Sequence, residues 1–373
     1  VPNYWDYLGL DRLLALQSGL EGPEDVAEPD ELLFIITHQA YELWFKQVLR
    51  ELRLAIRHLG DGILAEEEVP LVVHHLRRVA TIMRLAVGQF EVMETLTPQD
   101  FLGFRDKLVP ASGFQSFQMR EMEILLGLED EQREKYGETD ALEHIKALAE
   151  RSPAGALAWG QISKAREEAA EGRTLRATLY RWLSRTPIEA SSPDSPGDSG
   201  VVDGFLARYQ AAYSAWQQSQ KERLASAGIT TGEELDKRFA RTSEAARRFL
   251  RAEDLPEDQR AERRRARAGL LFIESHRSLP LLAWPRVLID AVVEVEEQFV
   301  LFRHRHARMV ERVIGRRVGT GGSSGVEYLD RTTRARVFGD LWAVRTLQMP
   351  ARALPAVDNA RFYAFATPPR PAD

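Results

Sequence analysis

The chain has 373 residues, 44% of them hydrophobic and 28% charged, the composition of an ordinary globular protein with a large core. Its formal net charge of −6 favours neither nucleic acid nor an acidic tail, and no window approaches the roughly 20 apolar residues that a membrane span needs. It contains no cysteine, which excludes disulfides, thiolate-ligated or covalently attached haem, iron–sulfur clusters and cysteine-based zinc sites. A metal or haem in this protein has to be held by His, Asp, Glu, Tyr or Met. Asp6 and Asp11 interrupt what would be the apolar region of a signal peptide, so the expected compartment is the cytoplasm.

Taken in chain order, the periodicity is helical almost everywhere and no alternating strand stands out, so the fold class is all-α, with long central helices. Residues 4–18 read as a short helix and 29–59 as a long one, apolar nearly all round and therefore central. A third, amphipathic helix covers 67–94. Thr97-Pro98-Gln99-Asp100 is a helix start, with Thr97 as N-cap, Pro98 in the first turn and Asp100 near the positive end of the dipole. That helix should stop before Pro110, and Ser112 to Leu126 continues as another. Polar amphipathic helices fill roughly 138–252. The Ser/Pro/Gly-rich run 191–200 interrupts them as a flexible insertion loop, not a boundary, so 1–373 reads as a single helical domain. Arg263, Arg264, Arg265 and Arg267 form a basic cluster that reads as a solvated helix face; no aromatic interleaving accompanies it, and nucleic acid is not an expected partner. A last long helix spans 284–316, followed by the loop Gly319-Thr320-Gly321-Gly322-Ser323-Ser324-Gly325.

Chemistry-bearing residues stand out against this background. His38 lies inside an apolar and aromatic helix, with Phe34 one turn before it and Tyr41 and Glu42 one turn after. It is either a core histidine bonded to a neighbour or a functional one. Of the eight histidines, His306 lies on the apolar stripe Val292, Val295, Phe299, Phe302 of the 284–316 helix, whereas His304 points about 200° away. A haem ligand should emerge from such a stripe, which makes His306 the better candidate beside a purely structural reading. Phe101, Arg105 and Leu108 share one face of the helix that Thr97 caps. An arginine among such residues is partly desolvated and calls for a carboxylate, from a protein side chain or from an amino-acid ligand. The glycine loop lacks the Lys-Ser/Thr pair of a phosphate loop and follows a helix; it is either a connector or a flap that folds over a small ligand.

Four blocks together resemble the tryptophan 2,3-dioxygenases. They are Tyr4-Trp5-Asp6-Tyr7-Leu8-Gly9-Leu10-Asp11 with Leu13, Leu14 and Gln17; the helix from Phe34 to Gln47; Phe101 to Arg105 with Pro110 to Ser116; and His306 with Gly325-Val326-Glu327-Tyr328-Leu329. The resemblance is strong over about the first 127 residues and from 299 to 345, and loose between. It implies a helical-bundle haem protein in which His306 is the proximal ligand of a b-type haem iron and His38 hydrogen-bonds the indole N–H of L-tryptophan. It further implies that Arg105 grips the substrate carboxylate, that Phe34, Phe101 and Leu108 pack on the indole, that Ser112 lies beside the pocket and that Thr320 holds the amino-acid end. Tyr4, Tyr7 and Leu8 would complete a neighbouring subunit's site within a homotetramer. The implied reaction consumes O2 and inserts both its atoms across the indole 2,3 bond to give N-formyl-L-kynurenine. The middle of the chain and the tail from Gln348 depart from the family pattern, so a relative that adds one oxygen to tryptophan or a substituted tryptophan is the alternative. A haem- or indole-binding protein without turnover and a purely structural helical scaffold are the two non-catalytic readings.

Overall fold

A computed structural model of the chain describes residues 3–19, 22–23, 27–60, 64–109, 111–134, 141–228, 232–319 and 324–365. Among these residues every regular element is helical, and the only ladder pairings are the isolated bridges Gly19–Gly22 and Ile188–Ser191. No helix among them is long and apolar enough to cross a membrane. The chain divides into two compact units. One is built from Val1–Ala55, His74–Thr174 and Glu294–Val337, the other from Ile56–Val73, Leu175–Val293 and Phe338–Asp373.

The first unit carries the candidate site. Its long helices are the early part of Pro29–Gly60, most of Val69–Met93 and the later part of Ala283–Ile314, each within a few residues of its predicted bounds. Thr97 caps Pro98–Arg105 as expected, its hydroxyl accepting from the Asp100 amide at 3.2 Å. Three details differ from the sequence reading. The expected 4–18 helix is two short ones, Tyr4–Leu8 and Leu10–Leu13, because Gly9 adopts the left-handed conformation (φ 60°, ψ 42°) and caps the first. The 112–126 segment opens as a 3-10 turn at Gly113–Gln115. Its α-helix begins only at Phe117, where the Ser116 hydroxyl accepts from the Met119 amide at 3.3 Å. Pro29–Gly60 buries Tyr41, Phe45, Val48, Leu49 and Leu52 but leaves Ile36 and Leu43 exposed on its far face, so it is not covered all round within one chain.

Side chains lock these helices together. Gln118 Nε2 donates to both the main-chain oxygen and Oε2 of Glu42 at 2.7 Å, and Gln89 Nε2 donates to the Thr37 carbonyl at 2.8 Å. Gln17 donates to Gln39 Oε1 at 2.7 Å while Gln39 donates to the Leu16 carbonyl at 3.0 Å, which pins the root of the N-terminal arm to Pro29–Gly60.

In the second unit the helix Leu175–Ser184 lies against Glu257–Ser275 at a distance only glycine permits. A Cβ at Gly269 would stand 2.4 Å from the Leu183 carbonyl oxygen. The basic cluster on that helix is not a solvated face. Arg265 and Arg267 are buried, and all four arginines meet carboxylates: Arg263 and Arg267 reach Asp340 at 3.4 and 2.9 Å, Arg267 also reaches Asp254 at 2.6 Å, Arg265 reaches Asp198 at 3.0 Å, and Arg264 pairs with Asp203. Their charge is spent inside the fold. Arg267→Met is expected to leave Asp340 buried with a weaker partner and to destabilise the protein by about 3–5 kcal/mol, read by urea denaturation.

The 191–200 run also differs from the expected free loop. Ser191 donates to Asp198 Oδ1 at 2.8 Å, Asp198 meets Arg265, and the Ser192 amide donates to Ser195 Oγ at 3.1 Å. Just before it, Tyr363 accepts from the Ala190 amide at 3.0 Å and donates to the Pro187 carbonyl at 2.8 Å. Residues from Asp198 onward already belong to the helix Asp198–Ser226. Serine and aspartate make this a tied turn because each side chain finds a local partner.

Candidate active site

A cavity of about 740 Å³ opens within the first unit. From one wall to the next it is lined by Phe34, His38 and Tyr41 of Pro29–Gly60, by Phe90 of Val69–Met93, and by Phe302 and His306 of Ala283–Ile314. Phe101, Arg105, Leu108 and Ser112 line it as well. Seven residues singled out in the sequence therefore meet on one surface.

His38 is fixed by its own helix. Its Nδ1 stands 2.8 Å from the Phe34 carbonyl oxygen, and since a carbonyl only accepts, Nδ1 carries the proton. Nε2 is left with a bare lone pair. Burial lowers the imidazole's pKa against the opposing pull of the Phe34 bond and of Glu42, so the ring is neutral at physiological pH. The Phe34 ring lies against it at 4.0 Å between centroids, with Phe101 a further 5.9 Å from Phe34. This gives an apolar wall next to a single hydrogen-bond acceptor.

Arg105 closes that wall. Its side chain is only 16% exposed, and among the described residues the carboxylate paired with it, on Asp106, is 3.9 Å away and itself 92% exposed. Nη2 donates to the Val318 carbonyl, and Nε is buried without a partner among the described residues. Of the two partners left open by the sequence, a buried protein carboxylate is not there among the described residues. Val318 leads into the glycine loop, and at its far end Gly325 has φ +60°; a Cβ there would stand 2.5 Å from the Arg317 carbonyl oxygen, so both ends of the loop are held close together.

His306 makes no hydrogen bond among the described residues and packs instead on aromatic rings, parallel to Phe90 (13° between planes, 5.7 Å) and beside Phe302 at 6.4 Å. Burial first, then His38 and the Arg120 guanidinium, push its pKa down to about 4. His304 is exposed on the other face, as the helical angle predicts. The Tyr41 hydroxyl is likewise buried without a partner among the described residues, and its ring meets Phe90 and Phe302.

Sequence reasoning passed over a charged cluster on the cavity wall. Glu123 is buried and touched by Arg120 at 3.0 Å, Arg133 at 2.8 Å and Arg303 at 3.0 Å, which hold its carboxyl down at about 2 despite burial. The only sequence signal was Arg303 one turn before His306; the partner lies 180 positions away. Tyr4, Tyr7 and Leu8 are exposed and outside this chain's cavity, and Trp5 beside them is 63% exposed. Thr320 lies outside the described residues.

Neutral, largely desolvated histidines leave a pH signature. The folded-state pKa of His306 and His276 is about 4, below the ordinary 6.5, and that of His38 is lowered too. Below pH 6.5 the unfolded chain takes up protons that the folded one refuses, so stability is full above 6.5 and falls as the pH drops toward 4. Urea denaturation at fixed pH steps should show a loss between pH 6.5 and 5 that is smaller in His306→Gln than in the wild type. The comparison cancels Glu121 and Glu274, whose carboxyls burial pushes up and which act with the opposite sign; an equal loss in both proteins contradicts the neutral assignment.

The sequence profile of the family described as tryptophan 2,3-dioxygenase matches residues 2–348. The tryptophan 2,3-dioxygenase of Sorangium cellulosum is 44% identical over 369 residues, 97% of this chain and 87% of that protein. Tryptophan 2,3-dioxygenase 2 of Ralstonia nicotianae is 45% identical over 374 residues, 98% of each chain, and the tryptophan 2,3-dioxygenase of Bdellovibrio bacteriovorus is 34% identical over 96% of each. With near-full-length matches at such identity and the all-α fold in place, the chain belongs to the tryptophan 2,3-dioxygenase family.

Proposed function

We propose that this protein is a haem-dependent dioxygenase that inserts both atoms of O2 across the indole 2,3 bond of L-tryptophan, releasing N-formyl-L-kynurenine. The observation that carries the reading is Arg105: a nearly buried guanidinium that has, among the described residues, no partner for Nε and no buried carboxylate, on a wall shared with the neutral His38. Those two groups match the two ends of tryptophan. Arg105 takes the carboxylate, and His38 Nε2 accepts the indole N–H. Phe34, Phe101 and Leu108 pack on the ring between them, and Ser112 borders the same space.

The residues present fit haem b. His306 offers a neutral imidazole that nothing else in the described chain hydrogen-bonds, at a cavity within the about 300–1,000 Å³ of small-molecule pockets. Phe45, Phe90 and Phe302 give it the apolar walls a porphyrin face needs. No group of three or more His, Asp or Glu able to hold a bare metal ion occurs among the described residues, so one histidine ligating a haem is the arrangement the donor set suits. When bound, the haem supplies the activation of O2. The chain's own part is positional: Arg105 and His38 fix the indole at both ends, and the aromatic walls keep water from the reacting carbon atoms.

Further parts of the reading follow. Tyr4, Trp5, Tyr7 and Leu8 expose large apolar surfaces on an arm rooted through Gln17, which suits an arm that docks on another subunit of a homotetramer and completes its site. Thr320 assists at the amino-acid end, and the enzyme works in the cytoplasm. Spectral titration of the haem-loaded protein tests the substrate assignment. L-Tryptophan is expected to bind, tryptamine (no carboxylate) at least about a hundredfold more weakly, and 1-methyltryptophan (no indole N–H) weakened to a similar degree. Equal affinity for all three contradicts it.

A further inference from the structure

The helix Val69–Met93 turns Phe90 inward, against Tyr41 and Phe302. At about 100° per residue, Gly88 and Val92 lie on its opposite face, with Leu85 beside them. That face is open. Leu85 is 51% and Val92 44% exposed, and Gly88 between them is exposed too, with nothing among the described residues within 4 Å of the place a Cβ would take. Thr81 and Thr95 extend the stripe at its ends, and their hydroxyls are turned back onto the Arg77 and Val92 carbonyls at 2.8 and 2.7 Å. A glycine inside an exposed helix costs about 1 kcal/mol relative to alanine, and no close approach among the described residues requires this one.

Charge flanks the strip in a pattern that fits its own reverse. Arg84 and Glu91, both exposed, stand beside Leu85 and Val92 on either side of Gly88. Two copies of the helix laid antiparallel across Gly88 bring Leu85 of each against Val92 of the other, and Arg84 of each beside Glu91 of the other. Thr81 then faces Thr95. A parallel pair would set arginine on arginine and glutamate on glutamate. Arg84 also pairs with Glu294 of its own chain, but both side chains are more than a third exposed, so that pair holds the guanidinium loosely.

We infer that this face packs on a second copy of the chain, in an antiparallel two-fold contact of Val69–Met93 on itself centred on Gly88. The inference rests on the homotetramer reading above and gives that assembly one of its contacts. A two-fold contact must be self-complementary, and this strip is. The glycine lets the two helix axes come near the lower end of the about 8–10 Å seen for packed helices. One helix pair is narrow against the roughly 800 Å² per partner of a stable interface. The exposed arm residues Tyr4, Trp5, Tyr7 and Leu8 supply further apolar surface to the same assembly.

The chain has no cysteine, so single-cysteine variants of the full-length, haem-loaded protein report the contact directly. Gly88→Cys should give a disulfide-linked dimer under mild oxidation, because residues on a two-fold axis reach the about 4.4–6.8 Å between Cα atoms that a disulfide spans. Leu157→Cys, at a position 75% exposed on another helix, is the control and should stay unlinked. Charge reversal adds no bulk at the axis. Arg84→Glu and Glu91→Arg should each raise the concentration at which the assembly half-dissociates by about tenfold in analytical ultracentrifugation, and the double variant should restore it. An assembled Gly88→Cys protein that links no better than Leu157→Cys overturns the inference, as does a double variant that assembles no better than either single one. A wild type that is monomeric at every concentration fails the homotetramer reading itself, a result distinguishable from an assembly that these variants leave unmoved.

Discussion

His306→Ala is expected to lose stable haem. The imidazole has no hydrogen bond to forgo among the described residues and only ring contacts with Phe90 and Phe302, so its removal disturbs the apo fold little. The loss falls on the ligand. Losing a mere outer-shell partner of a metal ligand costs about 10–100-fold in affinity, and losing the ligand itself should cost more. Gel filtration after haem reconstitution should leave the variant without a Soret band, and added imidazole should restore part of it by filling the space left by the side chain. His304→Ala is the control and should retain haem, because that ring is exposed on the opposite face. Full haem occupancy in His306→Ala would move the ligand elsewhere.

Arg105→Ala carries the second large effect. A desolvated guanidinium gripping a carboxylate through charge-assisted bonds contributes about 3 kcal/mol, so KM for L-tryptophan should rise by about a hundredfold while haem content stays unchanged. The split matters. Arg105 also donates to the Val318 carbonyl, so a purely structural role would loosen the segment before the glycine loop and lower thermal stability without singling out the carboxylate. Tryptamine distinguishes the two: its already weak binding should be nearly indifferent to Arg105→Ala if the arginine acts on the carboxylate. An unchanged KM sinks that assignment.

Much of this fold was legible in the sequence because its long helices announce themselves by period. Thr97 with Pro98 and Asp100 marks a helix start through local chemistry alone, and the cap is there. The helical angle between His304 and His306 was enough to separate an exposed ring from one on the cavity. Features that depend on backbone conformation were harder. The break at Gly9 needs a left-handed residue, and glycine permits that conformation without requiring it. Charged residues were hardest, since the meaning of a charge depends on what lies opposite it. Arg267 reads as surface until Asp340, 73 positions on, turns up against it. Arg120 and Arg303 drew no reading at all, since nothing in either segment says that both converge on Glu123. The serine-rich 191–200 run misled in the same way: its composition is that of a free loop, but Arg265 makes Asp198 an anchor. Bringing His38, Arg105 and His306 onto one cavity was foreseeable only through the family resemblance, as nothing local in the three segments says that they meet.

The most direct test of the central claim is to reduce the haem-loaded protein, supply L-tryptophan under 18O2 and weigh the product. The account predicts N-formyl-L-kynurenine carrying two labelled oxygen atoms. A product carrying one labelled atom, or no product from a protein that demonstrably holds ferrous haem and binds tryptophan, would contradict it.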